Sequence, residues 1–250
     1  MSDEQQQSWA LWRVSQLRIT TFPYGKGEFE YNPGTWWKAV AGEDPVSVQV
    51  NPRTNTSEET GPYLGGTLVF RIDPNRLECR LDALEDPDSP LELGPADSVV
   101  PKFVELIGRW LGTDQLPPLA RIAFGAILLH SVATVEEGYG YLAGLLPELR
   151  IDPTGSSDLI YRINRPRASQ MVDGLRVNRV SHWSVLGFRR LAVGPSLQTH
   201  VGPADLATRL VLDVNTAPDF ADALPPRSYP TVVDELIALS AEIAVRGDVP

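Results

Sequence analysis

The sequence predicts an α+β fold with antiparallel sheets and packed helices, and three observations support that class. Strand-like segments follow one another without a helix between them, most clearly 67–73 and 76–84. The residues that join them, Asp73-Pro74-Asn75, favour a tight turn. Charged and apolar residues alternate along the second segment, which indicates a strand with one wet and one buried face. A doubly wound parallel sheet would instead need helices between its strands.

The alternation in the second segment makes a specific prediction about burial. Leu77, Cys79 and Leu81 share one side of the strand and should be buried. Glu78 and Arg80 share the other side and should be exposed to solvent.

The other elements are predicted from periodicity and from turn or cap residues. In the first half we expect a strand over 9–22, a helix capped by Thr35 and ending at Gly42, a half-buried strand with Val46, Val48 and Val50, a surface loop over 52–62, and a helix capped by Asp97 or Ser98 and ending at Gly112. In the second half we expect a strand over 121–132, a helix from a Thr134–Glu137 capping box to about Leu146, strands over 159–164, 175–188 and 209–214, and a helix over 230–246. The order strand, helix, three strands, helix occurs twice and suggests two similar halves.

The 250 residues are enough for one large domain or two small ones. We predict a disordered tail over 1–8, an N-terminal α+β half over 9–115 and a C-terminal α+β half over 116–250, with one continuous domain as the alternative. The first residues lack the apolar stretch of a signal peptide, and the longest apolar run, 122–129, is too short to span a membrane. We therefore expect a cytoplasmic protein with no membrane association.

Arginines are concentrated in one stretch of an otherwise acidic chain. Residues 162–190 contain seven arginines, no lysine and a single acid, whereas the whole chain has a formal net charge of −10. Because arginine recognises carboxylate and phosphate groups bidentately, we predict a site for an anion or an acidic partner. The candidate residues are Arg162, Arg165, Arg176, Arg179 and His182. The alternative is a solvated sheet face whose arginines pair with acids from elsewhere.

Trp36 and Trp37 are candidate interface residues. Neighbours on a helix point about 100° apart, so both rings cannot enter one core from a helix. One of them should then be partly exposed, as tryptophans that anchor interfaces are in a free protein. The alternative is that both line the core between sheet and helix.

The sequence has no recognisable catalytic or metal-binding pattern. It has three scattered histidines and one cysteine, whereas zinc needs several such ligands at close spacing. It lacks a Gly-x-Ser-x-Gly elbow and a P-loop. We expect His130 to be buried and hydrogen-bonded, His200 to lie in a loop, and the acid pairs Glu136-Glu137 and Asp234-Glu235 to lie in first helical turns. We therefore predict no catalytic residue, no metal and no cofactor.

Two segments of the second half resemble a known protein family. They are Gly174–Val180, with the sequence GLRVNRV, and Leu210–Asn215, with the sequence LVLDVN, followed by a terminal helix. They resemble a sporadically distributed, largely uncharacterised prokaryotic family of about this chain length. The resemblance implies a prokaryotic protein encoded in a mobile or defence locus, and it implies no catalytic residue.

These features favour a non-catalytic protein-binding or accessory component of a larger prokaryotic system, with antiviral defence as the setting that the resemblance implies. The alternative is an enzyme or sensor that binds a phosphorylated small molecule or nucleotide through the arginines. General nucleic-acid binding would need a basic domain, whereas the sequence pI is about 4.8. Arginines that converge in a concave pocket would favour the ligand, and a flat face beside an exposed tryptophan would favour a protein partner.

Overall fold

In a computed structural model, the chain forms a large antiparallel sheet with helices packed against it. The structure describes the backbone of residues 10–25, 31–84, 91–114, 116–193 and 199–249, and side chains within these ranges except 189–193 and 199–204. The predicted disordered tail, 1–8, lies outside the described residues. The predicted α+β class is confirmed.

Eleven strands are described. They are β1 (Arg13–Pro23), β2 (Ser47–Asn51), β3 (Thr56–Tyr63), β4 (Gly66–Asp73), β5 (Arg76–Ala83), β6 (Gly94–Pro95), β7 (Leu119–Val132), β8 (Ile160–Asn164), β9 (Arg167–Ala168), β10 (Arg176–Val193) and β11 (Thr199–Thr216). The described helices are α1 (Thr35–Ala41), α2 (Ala96–Leu111), α3 (Val135–Leu145) and α4 (Tyr229–Arg246), and a short 3₁₀ turn, Pro226–Ser228, precedes α4. None of these helices is long and apolar enough to cross a membrane.

The strands form one sheet in the order β2-β3-β4-β5-β1-β7-β11-β10-β8, with β6 beside β1 and β9 beside β10. Every pair of neighbours is antiparallel. The first strand of the chain lies in the middle of the sheet, where it pairs with both β5 and β7. Strands from both sides of the suggested boundary between residues 115 and 116 therefore belong to one sheet. The division into two halves stays a prediction.

One face of the sheet carries the apolar core. Alternate residues of the central strands point to this face and are fully buried, among them Leu17, Ile19, Phe70, Leu77, Cys79, Leu81, Phe124, Leu128, Leu210 and Leu212. Side chains from all four helices join the same cluster, including Trp37 of α1, Phe103 of α2, Leu142 of α3 and Leu236 of α4. No helix in the described ranges covers the opposite face, which we call the open face.

The hairpin of β4 and β5 has the predicted register. Asp73 pairs with Arg76 at its turn, and Leu77, Cys79 and Leu81 are fully buried. The prediction that Glu78 is exposed is wrong, because its side chain is only 2% exposed on the open face. Arg80 is also partly covered, at 32% exposure. Arg76 and Arg80 on the same strand shield the glutamate from solvent. The polar side of a strand is therefore not always exposed to solvent.

Residues 56–63 form strand β3 rather than the predicted surface loop. This strand lacks an apolar alternation because its buried positions hold small or polar residues, Ser57, Glu59 and Gly61. One carboxylate oxygen of Glu59, Oε1, accepts hydrogen bonds from the Tyr31 hydroxyl and from the Gly34 backbone N–H, the latter at 2.6 Å. Its Oε2 is buried and has no partner in the described part of the chain. Ordinary strand signals therefore miss this strand.

Residues 46–50 also differ from the prediction, since Val46, Val48 and Val50 are 78%, 44% and 54% exposed rather than half-buried. The reason is the position of β2 at the edge of the sheet, where only β3 is its neighbour. Alternation gave the correct element, but it does not report whether anything covers the apolar side.

Helix ends follow backbone geometry more than the predicted caps. Helix α1 starts after Gly34, which has the left-handed φ of 85°, and Thr35 is its first residue rather than its cap. Helix α2 starts at Ala96 after Pro95, so neither Asp97 nor Ser98 caps it. The predicted cap of α3 is confirmed, because the Thr134 hydroxyl accepts a hydrogen bond from the Glu137 N–H at 3.1 Å.

Two further expectations are wrong. His200 lies within strand β11 rather than in a loop, because β10 and β11 pair far beyond the ends of the predicted strands. The pair Asp234-Glu235 is not in the first turn of α4, which starts earlier, at Tyr229. Glu235 instead accepts hydrogen bonds from Ser169 and Gln170, both at 2.6 Å, and so fixes the loop after β9.

Candidate functional site

The predicted site residues are divided between the two faces of the sheet. Alternate residues of a strand point to opposite sides, so Arg179 of β10 points to the helices while Arg176 and His182 point to the open face. Arg162 of β8 lies directly opposite His182 and therefore shares its face. Arg165 follows β8 and contacts the end of the chain on the helix side.

On the helix side, Arg165 and Arg179 hold the end of the chain. Arg165 donates two hydrogen bonds to the Asp248 carboxylate, at 2.8 and 2.9 Å, and the Tyr161 hydroxyl donates a third at 2.6 Å. Arg179 is only 1% exposed, and its Nη1 donates to the Val249 carbonyl at 3.3 Å. We call this group the C-terminal latch. Two of the five predicted site residues, Arg165 and Arg179, therefore make their contacts within the protein.

The electrostatics of the latch agree with its geometry. Hydrogen bonds from Arg165 hold the pKa of Asp248 below its ordinary value, with further help from Tyr161. Burial lowers the pKa of Arg179, and the nearby charge of Arg167 lowers it further. Arg179 is the least favourably placed cation of the group, because the Glu242 carboxylate lies 3.5 Å from its Nη2 and binds Arg167 more closely, at 2.7 Å.

Arg176, although on the open face, is already paired. Its guanidinium forms an ion pair with Asp219, and both side chains are more than half exposed. Such a solvated pair contributes little to stability and leaves little free charge for a ligand.

The open face brings together Arg162, His182 and Arg209, which we call the cationic patch. They come from three neighbouring strands, β8, β10 and β11. His182 is flanked by Arg162 on one side and Val211 on the other, and Arg209 is two residues from Val211 along β11. Neither arginine has a hydrogen bond or ion pair to the described part of the chain. The patch therefore offers two unpaired guanidinium groups.

His182 lies between these cations without a partner for one ring nitrogen. Its Nε2 is buried and makes no hydrogen bond. Burial lowers the pKa of His182, and the charges of Arg209 and Arg162 lower it further. The imidazole is therefore neutral at pH 7, and the charge of the patch comes from its arginines.

The surroundings of the patch are partly apolar. Ile160 lies two residues before Arg162 on β8, so it points to the same face, and it is 71% exposed. Beside the patch, Asn178 accepts from Asn164 at 3.0 Å and donates to Asn215 at 3.1 Å, so a row of amides ties three strands together. Asn178 and Asn215 belong to the two segments with the family resemblance, and they lie opposite each other.

A cavity of about 530 Å³ lies beside the patch but is not lined by it. Leu129, which lies opposite Arg209, lines this cavity together with Ser131 and Ala207. Its charged residues include Arg13 and Glu92, which already form an ion pair at 2.7 Å. No predicted site residue lines it. The cationic patch thus lies beside this cavity rather than inside it.

Trp36 and Trp37 are not surface residues, so the prediction that one is exposed is wrong. Each is only 1% exposed. Helix α1 lies between the sheet and α2, so both of its sides are covered. Trp36 packs against Trp110 of α2 with ring centres 5.9 Å apart, and Trp37 packs against Phe70 of β4 at 6.1 Å. The alternative, in which both rings line the core, is the correct one.

The other residues with reactive side chains, His130 and Cys79, contact only the protein interior or neighbouring side chains. His130 is hydrogen-bonded as expected, with its Nδ1 3.0 Å from the Leu11 carbonyl oxygen, although it is only partly buried and stacks on Tyr141. Cys79 is buried, and burial raises the pKa of its thiol. Within the described ranges, no three metal-ligating side chains are grouped closely enough to hold an ion.

Arg209 is the patch residue that the sequence did not reveal. It lies outside the arginine-rich stretch and reaches His182 only through the register of β10 and β11. The one available signal was its place on the polar side of the predicted strand 209–214. That side becomes informative only once the neighbouring strand is known.

Comparison with known proteins adds no family: no family model matches the chain, and no curated protein matches it. The resemblance of Gly174–Val180 and Leu210–Asn215 to a sporadic prokaryotic family stays a prediction.

Proposed function

We propose that the protein is a non-catalytic binding component of a larger assembly, and that its cationic patch docks an acidic segment of a protein partner. The observation that carries this proposal is the pair of unpaired guanidinium groups, Arg162 and Arg209, on a sheet face that no described helix covers. Unpaired arginines beside exposed apolar residues are typical of the centres of protein interfaces.

The spacing of the two arginines supports a partner segment more than a small ligand. They stand two strands apart, which corresponds to about 10 Å because neighbouring strands lie about 4.8 Å apart. Two carboxylates along an extended or helical acidic segment can span that distance, whereas one phosphate group cannot contact both arginines without their side chains bending towards each other. Ile160 would supply apolar contact at the edge of the same surface.

Two broader expectations belong to the same proposal. The accessory role in a prokaryotic, defence-related system is supported by the family resemblance alone. The origin of the fold from two similar halves is supported by element order, since β1, α1, β2–β5 and α2 are followed by β7, α3, β8–β11 and α4. In both series the first strand pairs with the last one, β1 with β5 and β7 with β11.

The alternative function is an enzyme or sensor for a phosphorylated small molecule or nucleotide. One observation favours it, namely the unpaired, buried Nε2 of His182 between two arginines. Such a nitrogen donates a hydrogen bond to a phosphate oxygen when it carries the hydrogen, as in the neutral Nε2–H tautomer. The position of the patch outside the described cavity counts against this alternative, because small-molecule sites are concave.

A capture experiment tests the proposal. The tagged chain, its Arg162→Glu/Arg209→Glu variant and a control are incubated with lysate of the native host, and bound proteins are quantified by mass spectrometry. The control is Arg71→Glu, a half-exposed arginine on the same face that already contacts Asp73 at 3.3 Å. We expect one or more partners that bind the wild type and the control but not the patch variant.

The same three proteins distinguish the alternative by thermal unfolding with inorganic phosphate and with a nucleotide mixture. Stabilisation of the wild type that the patch variant loses, without any difference in captured proteins, would overturn the docking proposal and favour the ligand. Equal capture by all three proteins with no stabilisation would overturn both.

A further inference from the structure

Strand β2 ends the sheet with an exposed apolar row. Val48 and Val50 of β2 point to the same face because they alternate along the strand, and Val46 lies one residue before it. Val46, Val48 and Val50 are 78%, 44% and 54% exposed. They account for three of the ten large hydrophobic residues that are exposed in the described part of the chain. Such a row next to unpaired backbone groups is a template for another strand.

Strand β2 carries no charge and no proline within its own length. Residues 46–51 are Val-Ser-Val-Gln-Val-Asn, and prolines stand only just outside them, at Pro45 and Pro52. Edge strands of monomeric proteins are commonly protected by charged residues, prolines or bulges. The opposite edge of this sheet carries a charge within its strand, because Arg162 lies at the centre of β8. The two edges of one sheet therefore differ in whether a charge within the edge strand opposes pairing.

The order of residues in β2 is self-complementary. In an antiparallel pair with a twofold axis at Val48, Val48 of each strand lies opposite Val48 of the other, and Val46 lies opposite Val50. Six valines then share one face, and neutral Ser47 and Gln49 face each other on the other side. No like charges meet, although each chain carries a net charge of −10. A partner strand must alternate in the same way, and β2 itself meets that requirement.

We propose that β2 pairs antiparallel with β2 of a second copy of this chain, which joins the two sheets into one continuous sheet. The axis is perpendicular to the sheet because the valine faces must coincide. Both open faces then lie on the same side of the dimer, so two cationic patches face the same direction. The proposal rests on the edge strand alone and does not depend on what the patch binds.

The oligomeric state of the full chain tests this proposal. Light scattering coupled to size-exclusion chromatography, together with sedimentation across the micromolar range, should show a dimer for the wild type. Val48→Lys should be monomeric, because it places two like charges opposite each other at the axis. The matched control, Ile160→Lys, alters a more exposed apolar residue at the other edge and should remain dimeric. A monomeric wild type, a dimeric Val48→Lys variant or loss of the dimer in the control would each overturn the proposal.

A cross-link tests the register and does not require a charge in the strand. Opposed residues of an antiparallel pair have Cα atoms about 4.5–5.5 Å apart, a distance that a disulfide can bridge. Val48→Cys should therefore form a covalent dimer on mild oxidation, while buried Cys79 stays unreactive. Gln49→Cys should cross-link poorly, because it faces residue 47 of the partner. Cross-linking through residue 49 instead of 48, or capture of a different protein by monomeric chains through β2, would reject the second copy as the occupant.

Discussion

Two regions of the open face differ in whether their arginines form ion pairs, although both regions lie on the same sheet. On β5 the sequence Arg76, Glu78, Arg80, Asp82 places opposite charges at alternate positions, and each arginine forms an ion pair on its own strand. We call this region the charge ladder. In the cationic patch, Arg162, His182 and Arg209 come from three strands, and the arginines find no acid in the described part of the chain. The difference shows that the charge pattern, rather than the fold, decides which arginines are paired within the described part of the chain.

The buried glutamate explains why the charge ladder is closed to other ligands. Glu78 accepts hydrogen bonds from Thr20 at 3.3 Å, from Arg80 at 3.2 Å and from Arg76. A carboxylate with three donors needs no further partner, and its arginines are occupied as well. Any acidic segment that approached this region would have to displace the Glu78 carboxylate from its arginines. Among the described residues, no comparable acid contacts the arginines of the patch.

The largest expected change in stability lies away from both regions, in the helix layer. Leu236 of α4 is fully buried, so Leu236→Ala should lower the free energy of unfolding by about 2–5 kcal/mol. Denaturant unfolding followed by circular dichroism measures this loss. A change below about 0.5 kcal/mol would mean that α4 does not pack against the sheet as described.

The next largest effect should come from the charge ladder. Glu78→Gln keeps the shape of the side chain but removes the charge that two arginines share, and we expect a loss of about 1–3 kcal/mol in unfolding free energy. The same unfolding assay measures it, with Glu58→Gln as a more exposed control. If both variants unfold like the wild type, the ladder contributes nothing to stability and the comparison between the two regions fails.

A smaller effect should appear in the pH dependence of the patch. Because the folded protein holds the pKa of His182 below that of a free histidine, the unfolded chain binds more protons once the pH falls below about 6.5. Stability due to this group is therefore complete above that pH and decreases as the pH falls towards the folded-state pKa. His182→Gln should flatten the unfolding free energy between pH 7 and pH 5. An unchanged slope would show that His182 is not desolvated beside Arg209 and Arg162.

Local patterns predicted much of the fold. The β4–β5 hairpin, the capping box of α3 and helix α4 depend on neighbouring residues, and each is present. Strand β3 could not be recognised, because its buried positions hold Ser57, Glu59 and Gly61 in place of apolar side chains.

The site was less predictable because it depends on contacts between distant parts of the chain. Arg162 and His182 were among the predicted residues, but their partner Arg209 is placed by strand register. Arg165 and Arg179 were predicted from the same arginine density, yet the last residues of the chain occupy them. Local arginine density therefore does not separate a latch from an open site.

One paired measurement tests the central claim that ladder charges serve stability and patch charges serve binding. Two double variants, Arg76→Gln/Arg80→Gln in the ladder and Arg162→Gln/Arg209→Gln in the patch, each remove two positive charges from the same face. Unfolding free energy and capture of partners from host lysate are measured for both. We expect the ladder variant to lose stability and retain capture, and the patch variant to retain stability and lose capture. The account would be contradicted if the patch variant were the less stable one, or if both variants captured the same partners as the wild type.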